Sequence, residues 1–151
     1  MKTLTVLPAM MAAGLIAGPV LAQPPVLDFS TKGDFVYLDY NPPGSKAPAM
    51  KLACAKGVGR ITLAQYEAKP GEQTVNVVSG AVTGSYGGKK ATGSRGDFVT
   101  TQIFASEKVM TTFRDSGQLE VSGDGYKDTI NAGPNKPAVD KFFAGCEEGA
   151  G

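Results

Sequence analysis

Beyond residue 22 the chain is built from short runs in which apolar and polar residues alternate, broken by glycine and proline. Period-two alternation is the pattern of a strand whose faces meet different surroundings. Phe35 to Tyr40 (FVYLDY) reads as a strand with both faces largely covered. The turn-rich segment Asn41 to Pro48 follows, where prolines fix φ and Gly44 permits reversal. Met50, Leu52 and Cys54 share one face of the next run. Ile61 and Leu63 share a face after a turn over Lys56 to Gly59, and Val75 and Val77 do so after Lys69-Pro70-Gly71. Val82 to Tyr86 and Phe98 to Phe104 flank a glycine-rich loop, and β-branched residues favour strands in both arms. Gln118 to Val121 reads as a further short strand before a Gly123-Asp124-Gly125 turn. The prediction is a mainly β domain, an antiparallel sandwich or open barrel of about six to eight strands.

The period changes twice. From Ser106 to Arg114, Val109, Met110 and Phe113 fall on one helical face. Ser106 is a suitable N-cap, Glu107 suits the positive helix start, and Gly117 suits the stop. The alternation of Val109, Thr111 and Phe113 keeps a strand reading open for the same segment. Pro137 fits the first position of a second helix, whose stripe of Val139, Phe142 and Phe143 ends at Cys146. Two short helices are therefore expected, near 106–115 and 137–146.

The first residues carry a different signal. Lys2 is the only charge before Asp28, an apolar stretch runs from Leu4 to Leu21, and Val20-Leu21-Ala22 offers a small-residue cleavage site. These are the parts of a secretory signal. Pro8, Gly14, Gly18 and Pro19 interrupt the stretch, which disfavours an uncleaved spanning helix. The expected organisation is a signal peptide over 1–22, a leader over 23–34, one β-rich domain over 35–146 and a disordered tail over 147–151. The location follows as periplasmic or secreted, with no stable membrane insertion after cleavage.

Cys54 and Cys146 are the two cysteines of this chain, and an exported chain does not keep such a pair reduced. A disulfide is expected, tying the second helix to the Met50–Ala55 strand. The chain contains no histidine, which excludes Ser-His-Asp and Cys-His catalysis and removes the commonest transition-metal ligand. Glu120, Asp124 and Asp128 gather near the GDG turn, but the spaced acids of a calcium loop are missing. No dinucleotide, Walker or GxSxG pattern occurs. No metal and no cofactor is expected.

Without Lys2 the 15 basic and 14 acidic residues balance, so nothing supports nucleic-acid binding driven by net charge. The most polar segment is Gly87 to Asp97, with Lys89, Lys90, Arg95 and Asp97. As a mobile loop on a rigid scaffold it would be the place for recognition. The embedded Arg95-Gly96-Asp97 matches an integrin-binding tripeptide, a match short enough to recur by chance. The expectation is a non-enzymatic binding or interaction module of the bacterial periplasm, contacting an unidentified protein or small ligand through that loop. A carboxylate- and lysine-based hydrolase of envelope polysaccharide and an envelope structural component are the alternatives. The first would show paired carboxylates in one cleft.

Overall fold

Inward-facing apolar residues recur at alternate positions along most of the nine described strands, and the sheet curls around them. The structure, a computed structural model, describes residues 25–147. The signal reading over 1–22 and the tail beyond Glu147 lie outside the described residues. The strands are β1 (Val26–Lys32), β2 (Phe35–Asn41), β3 (Met50–Ala55), β4 (Arg60–Gln65), β5 (Gln73–Ser79), β6 (Val82–Gly93), β7 (Gly96–Phe104), β8 (Gln118–Gly123) and β9 (Tyr126–Asn131). Helix α1 (Lys108–Ser116) separates β7 from β8. Helix α2 (Lys136–Glu147) follows β9 through a single 3₁₀ turn. All the strands pair antiparallel, in the order β1-β2-β3-β4-β7-β6-β5-β8-β9, as an open half-barrel. The open-barrel form of the expected fold is the one adopted, with more strands than expected.

The inner face carries Val36, Leu38, Met50, Leu52, Ile61, Leu63, Val75, Val77, Ile103, Leu119, Val121 and Ile130, all buried. Both helices lie against it, α2 over β1 and β2, α1 over β5, β6 and β8. Each brings the stripe its sequence announced, Val109, Met110 and Phe113 from α1 and Val139, Phe142 and Phe143 from α2. The rings of Phe113 and Phe143 meet edge-on at 5.9 Å, and those of Phe142 and Phe143 at 5.5 Å. Burying each such side chain stabilises the fold by about 1.5–3 kcal/mol. Where α2 crosses β2, Gly145 leaves room for Val36, whose Cγ1 is 2.7 Å from where an added Cβ would stand.

The Cys54–Cys146 disulfide closes, joining β3 to α2. Gly57 and Gly59, both at positive φ, turn their N–H groups onto the Cys146 carbonyl at 3.0 and 3.3 Å. The β3–β4 turn therefore caps the helix that the disulfide anchors.

Several local expectations are corrected. Val26–Lys32, assigned to a leader, forms β1, with Leu27 buried and Phe29 packed against the core. Tyr126–Asn131 is a strand whose alternation was masked by an acid, Asp128, at an inward position. Phe35–Tyr40 has one covered face; Phe35 on the other is 46% exposed. Ser106 does not cap α1. Glu107 holds the cap position, and its carboxylate reaches back to the Phe104 N–H at 3.1 Å. Gly117 ends the helix in the left-handed conformation, as read.

Candidate functional site

The glycine-rich segment is a paired ribbon, and this decides where its charged residues go. β6 runs through to Gly93, its first half bonded to β5 and Lys89–Gly93 bonded to β7. The change of partner falls at Gly88, where an added Cβ would lie 2.8 Å from Val75 Cγ2 and 2.9 Å from Val99 Cγ1. Only Ser94 and Arg95 form the turn. Residues paired directly across a ladder share a face. Lys90 opposite Val99 and Thr92 opposite Asp97 thus continue the inner face, while Lys89 opposite Thr100 continues the outer one.

The candidates Lys89, Lys90, Arg95 and Asp97 consequently do not converge. Lys90 pairs with Asp97 at 2.7 Å and Thr92 donates to the same carboxylate at 2.7 Å. These hydrogen bonds hold Asp97 below the ordinary carboxylate range. Lys89 stands beside a groove of about 310 Å³ where β6 and β7 part, between Tyr86, Thr100 and Gln102. That split is fastened by side chains. Thr101 donates to the Gly87 carbonyl at 2.9 Å and Tyr86 to Glu107 at 2.6 Å. Burial first, then the Glu107 carboxylate, raise the Tyr86 pKa well above its usual value.

Arg95 goes elsewhere. Its guanidinium lies 4.3 Å from the centre of the Tyr66 ring and donates to the Pro48 carbonyl at 2.9 Å. The tip of the β6–β7 hairpin is thereby fixed against the Asn41–Pro48 loop. A cleft of about 500 Å³ opens between them, lined by Asp39, Lys46, Lys51, Tyr66, Ser94, Arg95 and Phe98 among others. Tyr66 and Phe98 form its aromatic wall, their ring centres 5.2 Å apart. Lys46 and Arg95 have no carboxylate within ion-pair distance among the described residues. Asp39 does have a cation nearby, Lys51 Nζ at 3.5 Å from Oδ1, yet that oxygen makes no hydrogen bond among the described residues. Burial raises the Asp39 pKa, and Lys51 draws it down by less.

Sequence reasoning found Arg95 but missed Asp39, Lys46 and Lys51. Their common signal is faint: isolated polar positions on the outward side of strands and a loop that only the fold brings to the hairpin tip. Glu120, Asp124 and Asp128 also separate. Glu120 pairs with Lys127 at 2.9 Å, whereas Asp128 points inward beside Gln65. With the Gln65 amide oriented to suit its neighbours, it donates to Asp128 Oδ2 at 3.0 Å and to the Ala49 carbonyl at 3.2 Å. Among the described residues, no three His, Cys, Asp or Glu side chains gather as a metal site. No helix among them is long and apolar enough to cross a membrane.

Comparison with protein families, with curated proteins and with solved structures returned no match to this chain.

Proposed function

We propose that the chain is an exported, non-enzymatic binding module that captures an acidic sugar in the Tyr66–Arg95 cleft. The observation that carries this is the cleft's mixed chemistry. A guanidinium stacked on a ring keeps a fixed orientation and leaves N–H groups to grip a carboxylate. Lys46 adds a second cation, the exposed part of the Asp39 carboxylate can accept from a hydroxyl, and Tyr66 and Phe98 supply apolar wall. A ring bearing both an acid group and hydroxyls satisfies all of these at once. Small-ligand sites commonly combine apolar walls with a few convergent polar groups in this way.

Export is supported by the three-part pattern of residues 1–22 and by the closed disulfide. A glycosidase reading needs two carboxylates flanking one bond. Asp28 lies opposite Asp39 across the β1–β2 ladder, but Asp39 is the acid that lines the cleft.

Isothermal titration of the oxidised, exported chain with digalacturonate tests the reading. Arg95→Gln is expected to weaken binding on the order of ten-fold, the loss of one charge-assisted contact. Lys90→Gln, on the opposite face, leaves it unchanged. Equal affinities for wild type and Arg95→Gln, both verified as folded, would reject the site.

A further inference from the structure

The cleft is one end of a longer feature. Following the ladders outward from the inner-face pairs, Lys32, Phe35, Ala55, Arg60 and Phe104 fall in one row across β1, β2, β3, β4 and β7 on the outer face. This row repeats the chemistry of the cleft. Arg60 lies 5.2 Å from the Phe104 ring centre, Phe35 and Phe104 are 46% and 50% exposed, and Lys32 is exposed beside them. Neither Arg60 nor Lys32 has a carboxylate within ion-pair distance among the described residues. Between the two ends, the outer face of β3 and β4 presents Ala53, Thr62 and Ala64, with Lys51, opposite Ala64, leaning towards β2 onto Asp39 and the Tyr37 ring. Tyr37 stands to one side on β2 and Gln102 to the other on β7. From Arg60 to Tyr66 along β4 the span is roughly 20 Å at ~3.3 Å per residue.

We infer that this trough seats an acidic polysaccharide lengthwise, its acid groups held by Arg95 and Lys46 at one end and by Arg60 and Lys32 at the other. The inference rests on the cleft reading and extends it from one sugar to a polymer. Asp39 lines the cleft, and Asp28 lies beside it on the same outer face. These acids oppose the charge of either polyanion, but sugar hydroxyls donate hydrogen bonds to them and a DNA backbone has no such donors, which favours a sugar polymer over DNA. The two arginines, each braced on a ring, form anchors whose joint engagement multiplies affinity once a ligand is long enough to reach both.

The test compares digalacturonate with octagalacturonate by isothermal titration, using the oxidised chain and its Arg60→Gln/Lys32→Gln variant. The octamer is expected to bind at least about ten-fold tighter than the dimer to the wild type. That gain is expected to vanish in the double variant while dimer affinity stays the same. Equal affinity for both lengths, or a gain that survives in the variant, overturns the trough and leaves the cleft standing. Failure of the dimer to bind the wild type removes the cleft and the trough together. A thymidine oligonucleotide that binds more tightly than the octamer overturns the commitment to a polysaccharide.

Discussion

Replacing both Cys54 and Cys146 by alanine tests how the fold holds its last helix. The bridge spans 92 residues, so its loss returns to the unfolded chain the freedom of a long closed loop. Loop-closure entropy for that length corresponds to about 4.6 kcal/mol at 25 °C. Both sulfurs are buried, and removing them adds the smaller loss of their packing. Urea unfolding of the oxidised wild type and the variant reads the difference directly. The expected result is a stability loss of about 5 kcal/mol and a steeper denaturant slope, because an unfolded chain without the cross-link exposes more surface. In a thermal scan the same loss lowers Tm by roughly 18 °C. A loss below about 1 kcal/mol with an unchanged slope would refute the reasoning. It would mean that the Gly57 and Gly59 bonds to the Cys146 carbonyl and the Phe142–Phe143 packing already hold α2 in place.

Gly145→Ala drives a methyl into Val36 and is expected to cost about 1–3 kcal/mol, with Val36→Ala restoring part of it in a double-mutant cycle by urea melts. Asp128 has its pKa raised from 3.8, by burial first and then by Glu67, so its ionisation opposes folding. Stability on its account is full below pH 3.8 and falls as pH rises through the raised folded value. Asp128→Asn should therefore stabilise the chain at pH 7 and flatten that fall; a destabilised variant at pH 7 contradicts it. Tyr86→Phe removes the hydrogen bond to Glu107 that fastens the β6–β7 split and is expected to cost about 1.5 kcal/mol in a urea melt.

Much of the fold was legible because most strands obey a clean alternation. Met50-Leu52-Cys54 and Val75-Val77 could be assigned to the core from spacing alone, and they are buried. What escaped has identifiable causes. β1 offers only Leu27 and Phe29 as inward residues, too short a pattern to separate from a leader. β9 places a carboxylate on its inner face, which is affordable only because Gln65 arrives from β4 to donate to it. The ribbon over Lys89–Gly93 looked like a loop because glycine and lysine disfavour strands. Pairing with β7, the Lys90–Asp97 ion pair and the seat of Arg95 on Tyr66 override that preference. The candidate site was less legible than the fold. Arg95 stood out as a charged residue in a glycine-rich segment, but its meaning depends on Pro48 and Tyr66, which are remote from it in the chain. Lys90 and Asp97 stood out equally and neutralise one another on the far face.

The most direct test of the Tyr66–Arg95 cleft as a binding site is a ¹⁵N–¹H correlation spectrum of the oxidised chain during titration with digalacturonate. Saturable shifts confined to Lys46–Lys51, Tyr66 and Gly93–Phe98 are the result expected. No shifts there, or shifts centred on the Lys89 groove between β6 and β7, would contradict it.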